Sequence, residues 1–242
     1  MALPTYLIVG LGNPGYKFKH TRHNAGFDVL TLLSEKLGTP ISRARRRSLI
    51  GETLVDDCRV ILAQPQTYMN LSGEAVAGLL KWYRLQTSQM LVIYDDIDLP
   101  PGTLRIRRRG GPGTHNGMRS IIDQLGADSF PRIRVGVGQS PNQYDLVDWV
   151  LGSYHSEEER QVALAAYERA AEAAVVFVRE GIAAAMSRFN PQKTPRPQKR
   201  LKEAEDQENS GLENGGGDDN PGGGEDGLKS GDGDNEGAIA PE

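Results

Sequence analysis

Apolar positions along the chain fall into two rhythms. Tyr6–Gly10, Leu49–Leu54, Val60–Ala63, Met90–Tyr94 and Ile133–Val137 are short runs of strand length, and the first and fourth are continuously apolar, as in buried strands. Thr103–Arg107 alternates and predicts an edge strand. Between these runs the spacing changes to that of helices. Ala25–Leu37 places Phe27, Leu30, Leu33 and Leu37 on one face and stops at Gly38. Ser72–Tyr83 predicts a helix with Ser72 as N-cap and Glu74 in the positive first turn. Asn116–Leu125 is helical, and Ser156-Glu-Glu-Glu159 is a capping box opening a long helix that ends at Gly181. Strands alternating with helices predict a single α/β domain, a mixed, mostly parallel central sheet flanked by helices. Pro191–Gln198 marks the exit from the fold, so the domain is expected over residues 1–192 and a tail over 193–242.

Charge divides the chain in the same place. Residues 203–242 carry 13 acidic residues, one lysine and 11 glycines, a net −12, which leaves +8 on residues 1–202. Such a tail cannot bury enough apolar surface to offset its ordering entropy and is expected to be disordered, with a basic start and an acidic, Gly-rich end. It is expected either to compete with a polyanion for the basic body or to act as a solubilising extension. No run approaches the ~20 apolar residues of a membrane span. The segment Met1–Tyr6 lacks the charged and long apolar parts of a signal peptide, so a soluble, cytoplasmic protein without membrane contact is expected. The single cysteine, Cys58, excludes an intrachain disulfide framework and reads as a half-buried thiol in a strand.

Three apolar runs end in polar clusters: Gly12–Gly15, Gln64–Asn70 and Asp95–Asp98. Parallel strands would bring all three to one rim, where ligands of open α/β sheets bind. Gly10-Leu-Gly12-Asn-Pro-Gly15 fits a dinucleotide-binding pattern literally, but Asn13-Pro14-Gly15 is a turn signal where that motif needs a helix. His20 and His23 suggest a metal pair, but the other histidines, His115 and His155, are too few for a convincing ligand set, so neither metal nor cofactor is expected. Asp95, Asp96 and Asp98 could hold Mg²⁺, and a polar turn before Pro100-Pro101-Gly102 explains them more simply. His23, near the rim with an aspartate, suits a general base whose imidazole a carboxylate orients. No G-x-S-x-G elbow is present, so a His–Asp pair here would activate water. Such a pair, with amides stabilising an oxyanion, suits an already reactive ester.

The basic residues are clustered at Arg43–Arg47, Arg105–Arg109 and Arg132 with Arg134, which favours a polyanionic partner. Few aromatic residues interleave them in sequence, a pattern suited to backbone phosphates rather than bases.

Gly10–Gly15, Thr21-Arg-His-Asn-Ala-Gly26, Thr67–Gly73, Asp95–Gly102 and His115-Asn-Gly117 occur in the order and spacing of bacterial-type peptidyl-tRNA hydrolases, which the chain resembles from about Tyr6 to Phe189. The resemblance implies a monomeric α/β enzyme, without obligate protein partner, that cleaves the ester between peptide and tRNA. It implies that His23 activates water, that Asp95 supports it, and that Asn13 distinguishes blocked from free aminoacyl groups. Asn70 would orient substrate and water or stabilise the oxyanion, and Asn116 would contact substrate near the ester. Phe18 and Tyr68 match aromatic positions lining the tRNA end and peptide, and Arg107 and Arg134 match a basic pair gripping a tRNA phosphate. Pro112 and Thr114 depart from the family's glycine-rich segment and are expected to stiffen it, and Arg108 and Arg109 extend the basic run. The alternative is a non-catalytic RNA-binding relative, like the plant organelle splicing factors that share this fold.

Overall fold

The described residues hold seven strands: β1 (Thr5–Gly10), β2 (Arg43–Arg45), β3 (Ser48–Val55), β4 (Cys58–Pro65), β5 (Met90–Asp96), β6 (Leu104–Arg107) and β7 (Arg132–Gly136). In this computed structural model, which describes residues 3–141 and 145–191, they form one sheet of order β2-β3-β4-β1-β5-β7-β6. The four central strands β4, β1, β5 and β7 are parallel. Both edges are antiparallel, β2 and β3 folding back on β4 and β6 on β7. The sheet is therefore mixed, as expected. A compact unit spans Met1–Lys193, and the expectations for the tail lie outside the described residues. Among the described residues no helix is long and apolar enough to cross a membrane.

Among the described residues there are six α-helices: α1 (Ala25–Lys36), α2 (Ser72–Tyr83), α3 (Asn116–Leu125), α4 (Leu146–Leu151), α5 (Glu157–Glu180) and α6 (Ile182–Phe189). On one face Val29, Leu30 and Leu33 of α1 pack with the alanine-rich stripe of α5, Ala166, Ala170 and Ala174, over Ile8, Leu62 and Ile93. On the other, Val76 and Leu79 of α2 and Met118 and Ile121 of α3 cover Leu7, Val9 and Val92. Burial on both faces is why β1 and β5 are apolar without alternation.

The elements depart from expectation in three places. Ser72 is the first helical residue rather than the N-cap: a short 3₁₀ turn, Met69–Leu71, leads into α2, and Ser72 Oγ donates to the Met69 carbonyl at 2.8 Å. Arg43–Arg45 forms an edge strand despite its charge, because it pairs with β3 across a two-residue turn. The chain also re-enters helix after Gly181, where φ is +85°, to form α6. In the β2–β3 turn Arg46 (φ +46°) and Arg47 (φ +60°) both occupy the left-handed region, the type I′ pattern, at a cost of about 1–2 kcal/mol per non-glycine residue.

The glycines of the first motif serve packing. A Cβ on Gly26 would stand 2.3 Å from Leu11 N and 2.4 Å from Ile93 O, and one on Gly10 would stand 2.1 Å from Gly26 O. The start of α1 thus rests directly on the ends of β1 and β5, which sets His23 beside Asp95. No helix begins inside Gly10–Gly15, whose residues lead into a 3₁₀ turn at Tyr16–Phe18, so the dinucleotide geometry is absent here. Gly26→Ala is expected to cost about 3 kcal/mol, at the upper end of overpacking effects, because the obstructing atoms are backbone. A urea midpoint equal to that of the parent chain would contradict this packing.

Candidate active site

The carboxyl ends of β1, β4 and β5 are adjacent, since β1 pairs in parallel with both neighbours. The three polar clusters therefore meet at one rim, as their sequence positions suggested. Asn13, buried just beyond β1, accepts at Oδ1 from the Met69 amide (2.8 Å), which ties the first cluster to the second. Asn24 grips the Asn13 backbone twice, accepting from its N–H (2.9 Å) and donating to its carbonyl (3.0 Å). With Oδ1 committed, the Asn13 side-chain NH₂ is the end left for a substrate acceptor.

His23 sits in a 3₁₀ turn, Arg22–Asn24, directly ahead of α1. Its Nδ1 lies 3.0 Å from both Asp95 oxygens, at the end of β5. The third member is His115, whose Nε2 lies 3.0 Å from Asp95 Oδ1. His115 is also the N-cap of α3: its Nδ1 accepts from the Met118 amide at 3.2 Å, so its proton resides on Nε2 and is donated to Asp95. Asp95 is thus clamped between two imidazoles while its side chain is 2% exposed. Burial alone would raise the Asp95 pKa, but His23, His115 and their hydrogen bonds hold it well below the usual carboxylate range. Burial likewise acts to lower the His23 pKa, and the Asp95 charge and hydrogen bond outweigh it, leaving His23 raised above its ordinary value. In the neutral imidazole the Nδ1 proton is directed at the carboxylate and the lone pair lies on Nε2.

His23 and Asp95 open onto a cleft of about 380 Å³ also lined by Asn116, Arg107, Arg134 and Leu146. Arg107 is exposed there. Arg134 is restrained by its ion pair with Asp96, whose other oxygen accepts from the Asp98 amide at 2.9 Å. Asp96 and Asp98 thus belong to a turn and its arginine clamp, apart from Asp95. Asn116 is exposed and accepts from Arg119 at 3.2 Å. Phe18 and Tyr68 meet edge to face, ring centroids 6.4 Å apart, with Asn70 exposed two residues beyond Tyr68. The expected residues fall into two groups, a cleft group and an amide–aromatic group, joined through the Asn24–Asn13 contact next to His23.

Several supporting residues have roles that the sequence pattern alone does not reveal. Arg132, expected among the cationic contacts, is buried over the Phe130 ring and donates to the carbonyls of Phe130, Gly110 and Asp128. It anchors the Gly110–Gly113 loop from beneath. Arg22, 1% exposed, donates to Gly152 and Ser153 carbonyls, pairs with Glu159 and lies over the Trp149 ring, fixing α4 as a cleft wall. Asn24 and His115 sit inside legible motifs, but their roles depend on contacts across the chain. His20 is turned away to Asp28 (3.2 Å) and His155 stacks near Trp149, so neither joins His23.

Among the described residues, His23, Asp95 and His115 are the set whose ligand atoms converge, within 4.8 Å of one another. Their donor chemistry fits a metal poorly. The His115 lone pair is taken by Met118, and both imidazoles direct protons at the carboxylate.

A carboxylate-held imidazole stands at the rim of an α/β sheet, facing a cleft with arginine walls. The peptidyl-tRNA hydrolase family model matches residues 7–198. A peptidyl-tRNA hydrolase of Chloroflexus aggregans is 51% identical over 187 residues, covering 77% of this chain and 99% of its own. One from Roseiflexus is 49% identical over 204 residues, covering 83% and 94%. The crystal structure of Acinetobacter baumannii peptidyl-tRNA hydrolase superposes with a TM-score of 0.73 at 33% identity, over 77% of this chain and 94% of that one. The chain belongs to the peptidyl-tRNA hydrolase family.

Proposed function

We propose that residues 1–192 form a catalytic domain that hydrolyses the ester joining a peptide, or an N-blocked aminoacyl group, to the 3′ ribose of tRNA. The observation that carries this is the Asp95 clamp, which fixes the His23 tautomer and leaves Nε2 as the base. His23 Nε2 takes a proton from water, and the hydroxide oxygen bonds to the ester carbonyl carbon. The bond from that carbon to the ribose oxygen then breaks, and the imidazolium returns its proton to the leaving oxygen. No covalent enzyme intermediate forms. Asn70 orients water or stabilises the developing oxyanion, and Asn116 holds the substrate near the ester. The fixed NH₂ of Asn13 donates to the amide carbonyl that a blocked aminoacyl group has and a free one lacks. Phe18 and Tyr68 line the path of the terminal nucleotides and peptide, and Arg107 and Arg134 grip a phosphate of the acceptor end.

Every group in this scheme comes from one chain, so the proposed working unit is a monomer without an obligate protein partner. A tRNA ester substrate places its work in the cytoplasm, recycling tRNA from interrupted translation. The test is incubation of the intact chain with aminoacyl-tRNA, N-acetylated and free. Cleavage of the blocked ester, with the free one spared, is expected. Binding of tRNA without ester cleavage would instead support a non-catalytic RNA-binding role.

A further inference from the structure

We propose that the β2–β3 hairpin and α2 form a second RNA-contact surface, recognising backbone phosphates and one nucleobase of the tRNA at the sheet edge opposite Arg107. This rests on the reading of tRNA as substrate. Arg45, Arg46, Arg47, Gln66 and Trp82 line an open groove there. The guanidinium carbons of Arg45 and Arg46 lie 4.8 and 4.5 Å from the Trp82 ring centre, and the indole is nearly half exposed. Trp82 is far from the arginines in sequence, so the fold supplies the aromatic partner that the linear pattern lacked. An exposed indole beside planar guanidinium groups is a stacking platform for a base flanked by phosphate donors.

Charge and backbone point the same way. Arg47 pairs with Glu74, and Arg43 and Arg59 share Glu52, so the five arginines of this edge face two carboxylates and retain a cationic surplus. Arg46 and Arg47 occupy the two turn positions where Asn-Gly is the favoured pair. Arginine at both, against the turn's own preference, fits a role outside the hairpin. At the groove's base the buried Ser48 Oγ has no hydrogen-bond partner among the described residues.

Position selects the partner. Ser48 pairs with Pro65, and the Gln66 amide donates to the Arg47 carbonyl at 2.7 Å, so the turn stands on the same rim as Asn13 and Asp95. Strand β2 and strand β6 are at opposite ends of the seven-stranded order, roughly 29 Å apart at about 4.8 Å per strand, with the His23 site between them. One terminal phosphate cannot reach both edges. A tRNA whose acceptor end is held near Arg107 and Arg134 would have to present other nucleotides to the hairpin.

The test uses the full-length chain, deacylated tRNA as probe, and the double substitution Arg46→Asn with Arg47→Gly, which suits the turn and removes two charges. Affinity is expected to fall about 5- to 20-fold near 0.1 M salt, and the log–log salt slope to become shallower by about 1.4 to 1.8. Trp82→Ala should weaken binding roughly fivefold or more without changing the slope, because the indole is uncharged. Cleavage of an N-acetyl-aminoacyl ester of adenosine, which carries no phosphate for the hairpin to hold, should be unaffected. Unchanged affinity and slope in the double variant would overturn the proposal. So would a defect seen only with substrates bearing acidic peptides, which would reassign the groove to the peptide. A parent chain that cleaves no ester, while the double variant still loses tRNA affinity, would end the hydrolase reading and leave this surface standing.

Discussion

His23→Ala is expected to lower single-turnover cleavage of N-acetyl-aminoacyl-tRNA by about 10²- to 10⁴-fold, the range of positioned general-base help. tRNA affinity should stay within about twofold, because the phosphate contacts proposed for Arg107 and Arg134 are separate from the imidazole. The fold should persist. His23 is only partly buried and its ring bonds to Asp95, which keeps its second donor, His115. Residual turnover would come from amides positioned around the ester. Rapid-quench measurement separates the proton-transfer step from product release. Near-normal cleavage in that experiment would remove the imidazole from the chemistry, whatever the steady-state rate showed.

The route from sequence to this site was uneven for physical reasons. β1 and β5 are legible because burial on both faces demands continuous apolar runs, and α5 because Ser156 caps it by accepting from the Glu159 amide, although the Glu159 carboxylate reaches the His155 amide and so leaves the expected capping box half formed. The rim followed from strand polarity alone. β2 was not legible, because a three-residue edge strand made of Arg43, Ala44 and Arg45 buries nothing and exists only through its pairing. α4 is six residues long and is held by Arg22, a contact spanning more than a hundred residues. The expected helix end at Gly181 is followed by α6, in which Ile182, Met186 and Phe189 repeat at helical spacing and pack on the core.

The site shows the same division. Residue type and rim position point to His23 and an aspartate of the Asp95–Asp98 turn, the resemblance singles out Asp95, and the fold places it in contact with His23. His115 was visible only as a third histidine, and nothing local to it indicates that its two nitrogens serve different masters, a helix N-terminus and a carboxylate. Arg132 departs from expectation in the opposite sense. Its neighbours suggest a phosphate contact, and it shares a face of β7 with Arg134, but at the strand's start the Gly110 loop covers it and supplies carbonyls for its guanidinium. Charge clusters read from sequence cannot separate cations that face a partner from cations that hold a loop.

Asp95→Asn tests the clamp itself, with an effect expected to approach that of losing His23. A carboxylate can accept from both imidazoles, whereas an amide has one oxygen and a donor NH₂. One imidazole N–H must then face a donor. If His23 yields, its proton moves to Nε2 and the base is lost on the nitrogen that matters, for a fall in kcat/KM of about 10³-fold. The pH profile carries a second signature. His23 acts unprotonated, so kcat/KM should rise with pH through the His23 pKa. In the parent chain the Asp95 charge holds that pKa above 6.5, against the lowering effect of burial. Removing the charge leaves burial unopposed, and the acidic limb of the profile should move to lower pH even as the plateau falls. A plateau that drops while the limb stays in place would mean that Asp95 positions the ring without setting its basicity. A limb and plateau both unchanged would detach Asp95 from catalysis altogether.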